Sequence, residues 1–162
     1  MILLQALIAL SAQFSLAHAN PATMADFTGT YAVKDCQFTE NYSPNPKDYY
    51  CRITELRVTA KDAATYEIAF TDELGQKQHD IDMAEFKQEQ KDGTVITGAF
   101  TNTDNSSIYT VSRQNPDSST NGETRGFTVD PQSGVVTLDR TVTASTNDSY
   151  KSAEWIYQLK KK

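Results

Sequence analysis

Apolar and polar residues alternate with a period of two in segment after segment of this chain, and turn signals separate those segments roughly every ten residues. Successive side chains of a strand point to opposite faces, so this alternation predicts strands with one buried and one wetted face. Tyr66, Ile68 and Phe70 alternating with Glu67, Ala69 and Thr71 is the clearest instance. Phe27, Gly29, Tyr31 and Val33 share one face of a first strand, and residues 52–60 form a second with Leu56 and Val58 in phase. His79, Ile81 and Met83 follow in phase. Over 82–90 the residue types favour helix while the neighbours favour strand, and the strand is read on to about Gln90. Asp92-Gly93 signals a hairpin into 94–101. Ser107–Arg113 makes the next strand, and residues 114–124 (QNPDSSTNGET) are the most loop-like run. Gly126–Asp130, Val135–Thr143 and Tyr150–Leu159 complete the set, with Ala153, Trp155, Tyr157 and Leu159 on one face of the last.

Short sequential connections exclude the long crossovers that parallel pairing needs. The pattern therefore predicts an all-β fold, an antiparallel up-and-down β-barrel of about eight to ten strands, with a β-sandwich as the alternative. A closed barrel is favoured because it leaves no exposed sheet edge. An outer-membrane barrel fits poorly, since these segments are short and face outward with Thr, Glu, Lys and Asp.

Residues 1–19 (MILLQALIALSAQFSLAHA) read as a signal peptide closing on Ala17-His18-Ala19, which leaves 20–162 as a single β-barrel domain that is secreted or periplasmic. Gln5, Gln13 and His18 interrupt the apolar run, so no membrane span is expected once it is cleaved. The 21 acidic and 15 basic residues all follow position 19 and give a net charge of −6, which argues against a nucleic-acid partner. The two cysteines, Cys36 and Cys51, are predicted to pair, as an even count in an exported chain of this size implies. Closing that loop stabilises the fold by about 3 kcal/mol. Asn41, Asn105 and Asn147 stand in Asn-x-Ser sequons, which matter only in a glycosylating compartment.

Catalytic chemistry finds little support. His79 is the one histidine outside the leader, and neither a Gly-x-Ser-x-Gly elbow nor a phosphate-cradling glycine loop is present. The 21 acids include no pair that spacing alone marks out for glycoside chemistry. No metal site and no cofactor is called for.

More informative is what the period places inside. Arg140 falls in phase with Val136, Leu138 and Val142; Arg113 with Tyr109 and Val111; His79 with Ile81 and Met83. An inward arginine is costly unless it meets a carboxylate, a carbonyl array or an anionic ligand, or lies at a mouth. Arg140, Arg113, His79, Tyr109 and Trp155 are accordingly the candidate lining of an interior site for a small apolar or amphipathic ligand, an anionic one included. The alternative is a protein-binding module or inhibitor that presents Tyr42, Tyr49 and Tyr50 on the loop closed by Cys36 and Cys51.

Phe27-Thr28-Gly29-Thr30-Tyr31 resembles the Gly-x-Trp motif that opens lipocalin-like barrels, with Tyr31 in the place of the tryptophan. The resemblance implies an up-and-down barrel carrying a small hydrophobic or amphipathic ligand.

Overall fold

The computed structural model describes residues 20–42 and 51–162, residues 78–81 by their backbone alone. Residues 1–19, expected to be a signal peptide, therefore lie outside the described residues, as do Tyr49, Tyr50 and the side chain of His79. A short 3-10 turn, Met24–Phe27, precedes ten strands: β1 Gly29–Glu40, β2 Ile53–Ala60, β3 Tyr66–Asp72, β4 Lys77–Met83, β5 Phe86–Glu89, β6 Val95–Asn102, β7 Ser106–Gln114, β8 Thr120–Val129, β9 Val136–Ser145 and β10 Tyr150–Lys161. All belong to one antiparallel sheet in the order β4-β3-β2-β1-β10-β9-β8-β7-β6-β5.

The all-β, antiparallel reading is what the chain adopts, with ten strands at the upper end of the expected eight to ten, but no hydrogen-bonded ladder joins the two edge strands, β4 and β5. The expected closure is thus missing at one seam. Those edges are nevertheless consecutive in the chain, separated only by Ala84 and Glu85. Two contacts bridge them: the Tyr109 hydroxyl donates to the Ala84 carbonyl at 3.2 Å, and the Tyr66 ring of β3 meets the Phe100 ring of β6 edge-on at 6.1 Å. Gly98 makes the first possible. A Cβ there would lie 2.6 Å from the Tyr109 hydroxyl and 2.7 Å from the Ala84 carbonyl oxygen.

Local differences from the sequence reading have physical causes. The strand read through 82–90 breaks at Ala84-Glu85, and the helix-favouring residues Phe86–Glu89 form a short edge strand of exposed residues. Phe27 ends the 3-10 turn rather than starting a strand; it is buried, and its carbonyl accepts from the Tyr31 hydroxyl at 2.8 Å. The loop read at 114–124 shrinks to a tight turn because pairing of Gln114 with Thr120 and Ser112 with Gly122 carries the ladder through its polar residues. Only the Asn115–Ser119 turn lies between the two strands, its Asn115 N–H donating to the Ser119 carbonyl at 2.9 Å.

Side chains from every large strand converge on one core. Its fully buried rows run across the sheet: Tyr157, Leu138 and Phe127 are directly paired neighbours on β10, β9 and β8. The 3-10 turn seals this end with Met24 and Phe27, the latter 5.6 Å from the Phe127 ring. Tyr31 is buried in the same region, with the Lys161 ammonium 6.0 Å from its ring centroid. Burial raises the Tyr31 phenol above its ordinary value.

The disulfide joins Cys36 to Cys51 with Cα atoms 5.3 Å apart, inside the range a bridge requires. It ties the far half of β1 to the segment entering β2, where β1 and β2 are no longer paired. Among the described residues no helix is long and apolar enough to cross a membrane.

Candidate functional site

One row of paired residues crosses six strands: Phe38 on β1, Trp155 on β10, Arg140 on β9, Arg125 on β8, Tyr109 on β7 and Phe100 on β6. Four of its five neighbouring pairs make ring–ring or cation–ring contacts. Phe38 stacks on Trp155 at 5.0 Å, and the Arg140 guanidinium lies 5.0 Å from the Trp155 ring. Arg125 lies 5.9 Å from the Tyr109 ring, which meets Phe100 at 4.9 Å. The Tyr66–Phe100 contact carries this belt on across the seam. Aromatic faces attract cations, so walls of this type offset part of the cost of holding guanidiniums out of water.

Two arginines side by side repel, and both are buried, Arg125 at 3 % and Arg140 at 7 % exposure. Glu123, two residues before Arg125 and so on the same face, stands between them. Its carboxylate accepts from Arg125 Nε at 2.9 Å and Nη2 at 2.8 Å, and from Arg140 Nε at 2.5 Å. One oxygen, Oε1, thereby serves both guanidiniums. Burial lowers the Arg125 guanidinium below its ordinary value; the Glu123 carboxylate pulls it back up and the Arg140 charge pushes it down. Arg125 Nη1 is buried and has no hydrogen-bond acceptor among the described residues.

Beyond the belt, the next row is Ala153, Val142, Glu123, Val111 and Gly98, and the one after it is Ala144, Asn121, Arg113 and Ile96. Packing loosens here. One cavity of about 270 Å³ is bounded by Ile96, Val111, Arg113, Asn121, Glu123 and Val142 among others, and a second of about 240 Å³ by Tyr42, Val142, Lys151, Ala153 and Trp155 with their neighbours. Val142 belongs to both. A larger groove of about 650 Å³ lies on the outer face, where Thr128, Thr137, Asp139 and Ile156 alternate with the buried Phe127, Leu138 and Tyr157.

The structure thus brings three of the candidate lining residues, Arg140, Tyr109 and Trp155, into one belt. Arg113 is exposed at the end of β7, two rows from Arg125, with its Nε donating to Asn115 Oδ1 at 3.0 Å. Tyr42 is 52 % exposed, with the Lys151 ammonium 5.9 Å from its ring, and it borders the second cavity. Arg125 is absent from the sequence reading, and Glu123 enters it only as one of the available carboxylates, because the two fall at the boundary of and within the run taken as loop. The signal that finds them is the period of two, continued backward from Phe127 through 125 to 123. Among the described residues no three His, Cys, Asp or Glu side chains converge as metal ligands. Compared with known proteins, the chain matches no family model and no curated sequence.

Proposed function

We propose that this chain is an exported, disulfide-bonded β-barrel of lipocalin-like type whose open end binds a small apolar or amphipathic molecule. Support for the barrel comes from the two edge strands, which only two residues separate and which the Tyr109–Ala84 and Tyr66–Phe100 contacts bridge. The binding reading rests chiefly on the belt. A buried, charged, aromatic-walled row stands directly beneath cavities bordered by Val111, Val142 and Ala153. A core built for stability alone would fill that level with apolar side chains, because buried ion clusters of this kind are rarely a net gain over well-packed hydrophobes. Apolar walls with a few convergent polar groups are how small-molecule sites are generally made. Tyr42 and Lys151 then belong to the mouth, and export accounts for both the leader and the disulfide.

Native mass spectrometry of the protein purified from its own source tests this directly. A retained small molecule is expected, and Val142→Trp, which fills the space shared by both cavities, is expected to release it while the protein stays folded. An unliganded wild-type mass, together with no response of the thermal midpoint to Val142→Trp beyond that of an ordinary overpacked residue, counts against the proposal. N-terminal sequencing of the exported form is expected to begin at Asn20.

A further inference from the structure

Of the three side chains in the charged cluster, Glu123 is the one that meets open space. It borders the cavity of about 270 Å³ together with Ile96, Val111 and Val142, and neither Arg125 nor Arg140 belongs to that lining. Its side chain is 18 % exposed, more than either guanidinium beside it. An ionised carboxylate has about four acceptor positions. Three are taken among the described residues: Arg125 Nε and Arg140 Nε both donate to Oε1, and Arg125 Nη2 donates to Oε2. The remaining acceptor capacity lies on Oε2, within the one member of the cluster that the cavity touches. Solvent serves it while the cavity is empty. A molecule that fills the cavity displaces that solvent, and must either return a hydrogen bond or leave a charged oxygen poorly solvated.

Resting on the interior-binding reading above, we infer that the ligand is a small neutral amphiphile with a hydroxyl group, bound hydroxyl inward so that its O–H donates to the Glu123 carboxylate while its hydrocarbon part lies against Ile96, Val111 and Val142. The charges of the cluster select the head group. A carboxylate head would meet Glu123 charge to charge and bring no proton to share, so it is refused. An ammonium could donate, but it would add a third cation where two guanidiniums already share one carboxylate. A hydroxyl supplies the donor without a charge, and its hydrogen bond to an ionised acceptor is roughly twice as strong as one between neutral groups. Size follows from the space. A cavity of about 270 Å³ holds roughly nine groups at the volume a water occupies in the liquid, about 30 Å³ each. An eight-carbon alcohol is of that size.

The test uses four eight-carbon probes: octan-1-ol, its isomer 1-methoxyheptane, octanoate and octylamine. Each is titrated at neutral pH into the disulfide-bonded protein and followed by NMR, including the signal of the Glu123 carboxyl carbon. Octan-1-ol is expected to bind roughly tenfold or more tightly than 1-methoxyheptane, which has the same atoms and no donor, and to move the Glu123 signal. Octylamine is expected to bind more weakly than the alcohol, and octanoate weakest of all. Glu123→Asp, which keeps the charge and withdraws the carboxylate by one methylene, is expected to lose most of the alcohol's advantage while affinity for the ether changes by less than about threefold. The wild-type comparison decides alone if that variant fails to fold. Equal binding of alcohol and ether overturns the donor assignment and leaves a purely apolar cavity, with the wider binding reading intact. Tightest binding of octylamine or octanoate overturns the neutral head group. An alcohol preference that leaves the Glu123 signal unmoved, or that survives whole in Glu123→Asp, overturns the role of Glu123. No binding of any probe overturns the interior-binding reading as well.

Discussion

The two ends of this sheet are built on the same ladders and differ in what stands on them. On one side of the belt the rows are Tyr157, Leu138 and Phe127, none exposed at all, sealed by Met24 and Phe27. On the other side the corresponding strand positions carry Val142, Glu123 and Val111, all only half-buried, and then Asn121 and Arg113 at the rim. Hydrogen bonding along β7, β8 and β9 is continuous through both regions, so backbone pairing does not distinguish them. Side-chain packing does. A single uniform sheet can therefore hold its stability at one end and leave the other free to accommodate something else.

The largest effect that tests this contrast is truncation on either side of the belt. Phe127→Ala is expected to cost about 3–5 kcal/mol, because the ring is fully buried and the closed end has little room to collapse. Val142→Ala, two rows away on the neighbouring strand, should cost less than about 1 kcal/mol, since its side chain already borders open space. Urea midpoints for the two variants measure the difference, and equal losses would erase the distinction between the ends.

The disulfide comes next. Replacing Cys36 and Cys51 together by Ser is expected to lower stability by about 2–4 kcal/mol with the strand content intact by circular dichroism. Because Cys36 stands opposite Tyr157, next to the Phe38–Trp155 pair and well along β1 from Tyr31, the loss should be accompanied by weakened protection of Phe38 and its neighbours in hydrogen exchange, with the Tyr31 region unaffected. Two free thiols in unfolded, unreduced material from the exported fraction would contradict the pairing itself.

Gly98→Ala addresses the seam. The new methyl group would lie 2.5 Å from a Phe86 ring carbon and 2.7 Å from the Ala84 carbonyl oxygen, and a backbone atom cannot step aside cheaply. A loss of about 1–3 kcal/mol is expected, with faster amide exchange in β5 as the Tyr109–Ala84 bond breaks. Unchanged exchange there would mean that the bond does not hold the edge strands together.

Smallest is the pH response, which should be alike at both ends. Turn aspartates Asp62 and Asp130 at the closed end, and Asp92 and Asp117 at the open end, are held below the usual carboxylate range by hydrogen bonds from the Ala64 N–H, the Ser133 N–H, the Thr94 N–H and the Ser119 hydroxyl respectively. A lowered folded-state value means that the contribution is present above the ordinary carboxylate pKa, about 4, and is lost as pH falls through the folded value. The thermal midpoint should accordingly fall below about pH 4, and replacing the four by Asn should flatten that fall. A midpoint that rises on acidification would contradict the assignment.

The period of two made much of this legible. Tyr66, Ile68 and Phe70 show it without interruption, and Ile68 and Phe70 are core residues. Ala153, Trp155, Tyr157 and Leu159 were placed on one face, and all four are buried. Composition misled where residue type and position conflict. Thr120–Thr124 is rich in turn formers, yet β8 begins at Thr120 because its ladders to β7 and β9 outweigh local preference. The cost of that one boundary was the placing of Arg125 and Glu123, two of the three residues of the charged cluster. Arg113 shows the converse: it has the right phase but stands where the strand leaves the core, and phase carries no information about depth. The seam was illegible for a different reason, since nothing in the residues from Met83 to Phe86 announces that neighbours in the chain will become opposite edges of the sheet.

That arrangement bears on how the chain comes together. Strands β1 and β10 are paired near the middle of the sheet, so the ladder that unites its two halves joins the first strand to the last and closes the longest loop in the molecule. Until β10 is available, the hydrogen-bonding edge of β1 that faces away from β2 lacks its partner, and search time of this kind slows folding. Read from β5, however, the order is β5 through β10, then β1 through β4, with every adjacent pair consecutive once the ends are joined. The Lys162 N–H donates to the Thr30 carbonyl at 2.9 Å, so the C-terminus already lies beside the start of β1. A circular permutant opened between Ala84 and Glu85 would keep every ladder while making each one a local hairpin, and should reach the same native sheet by a faster route.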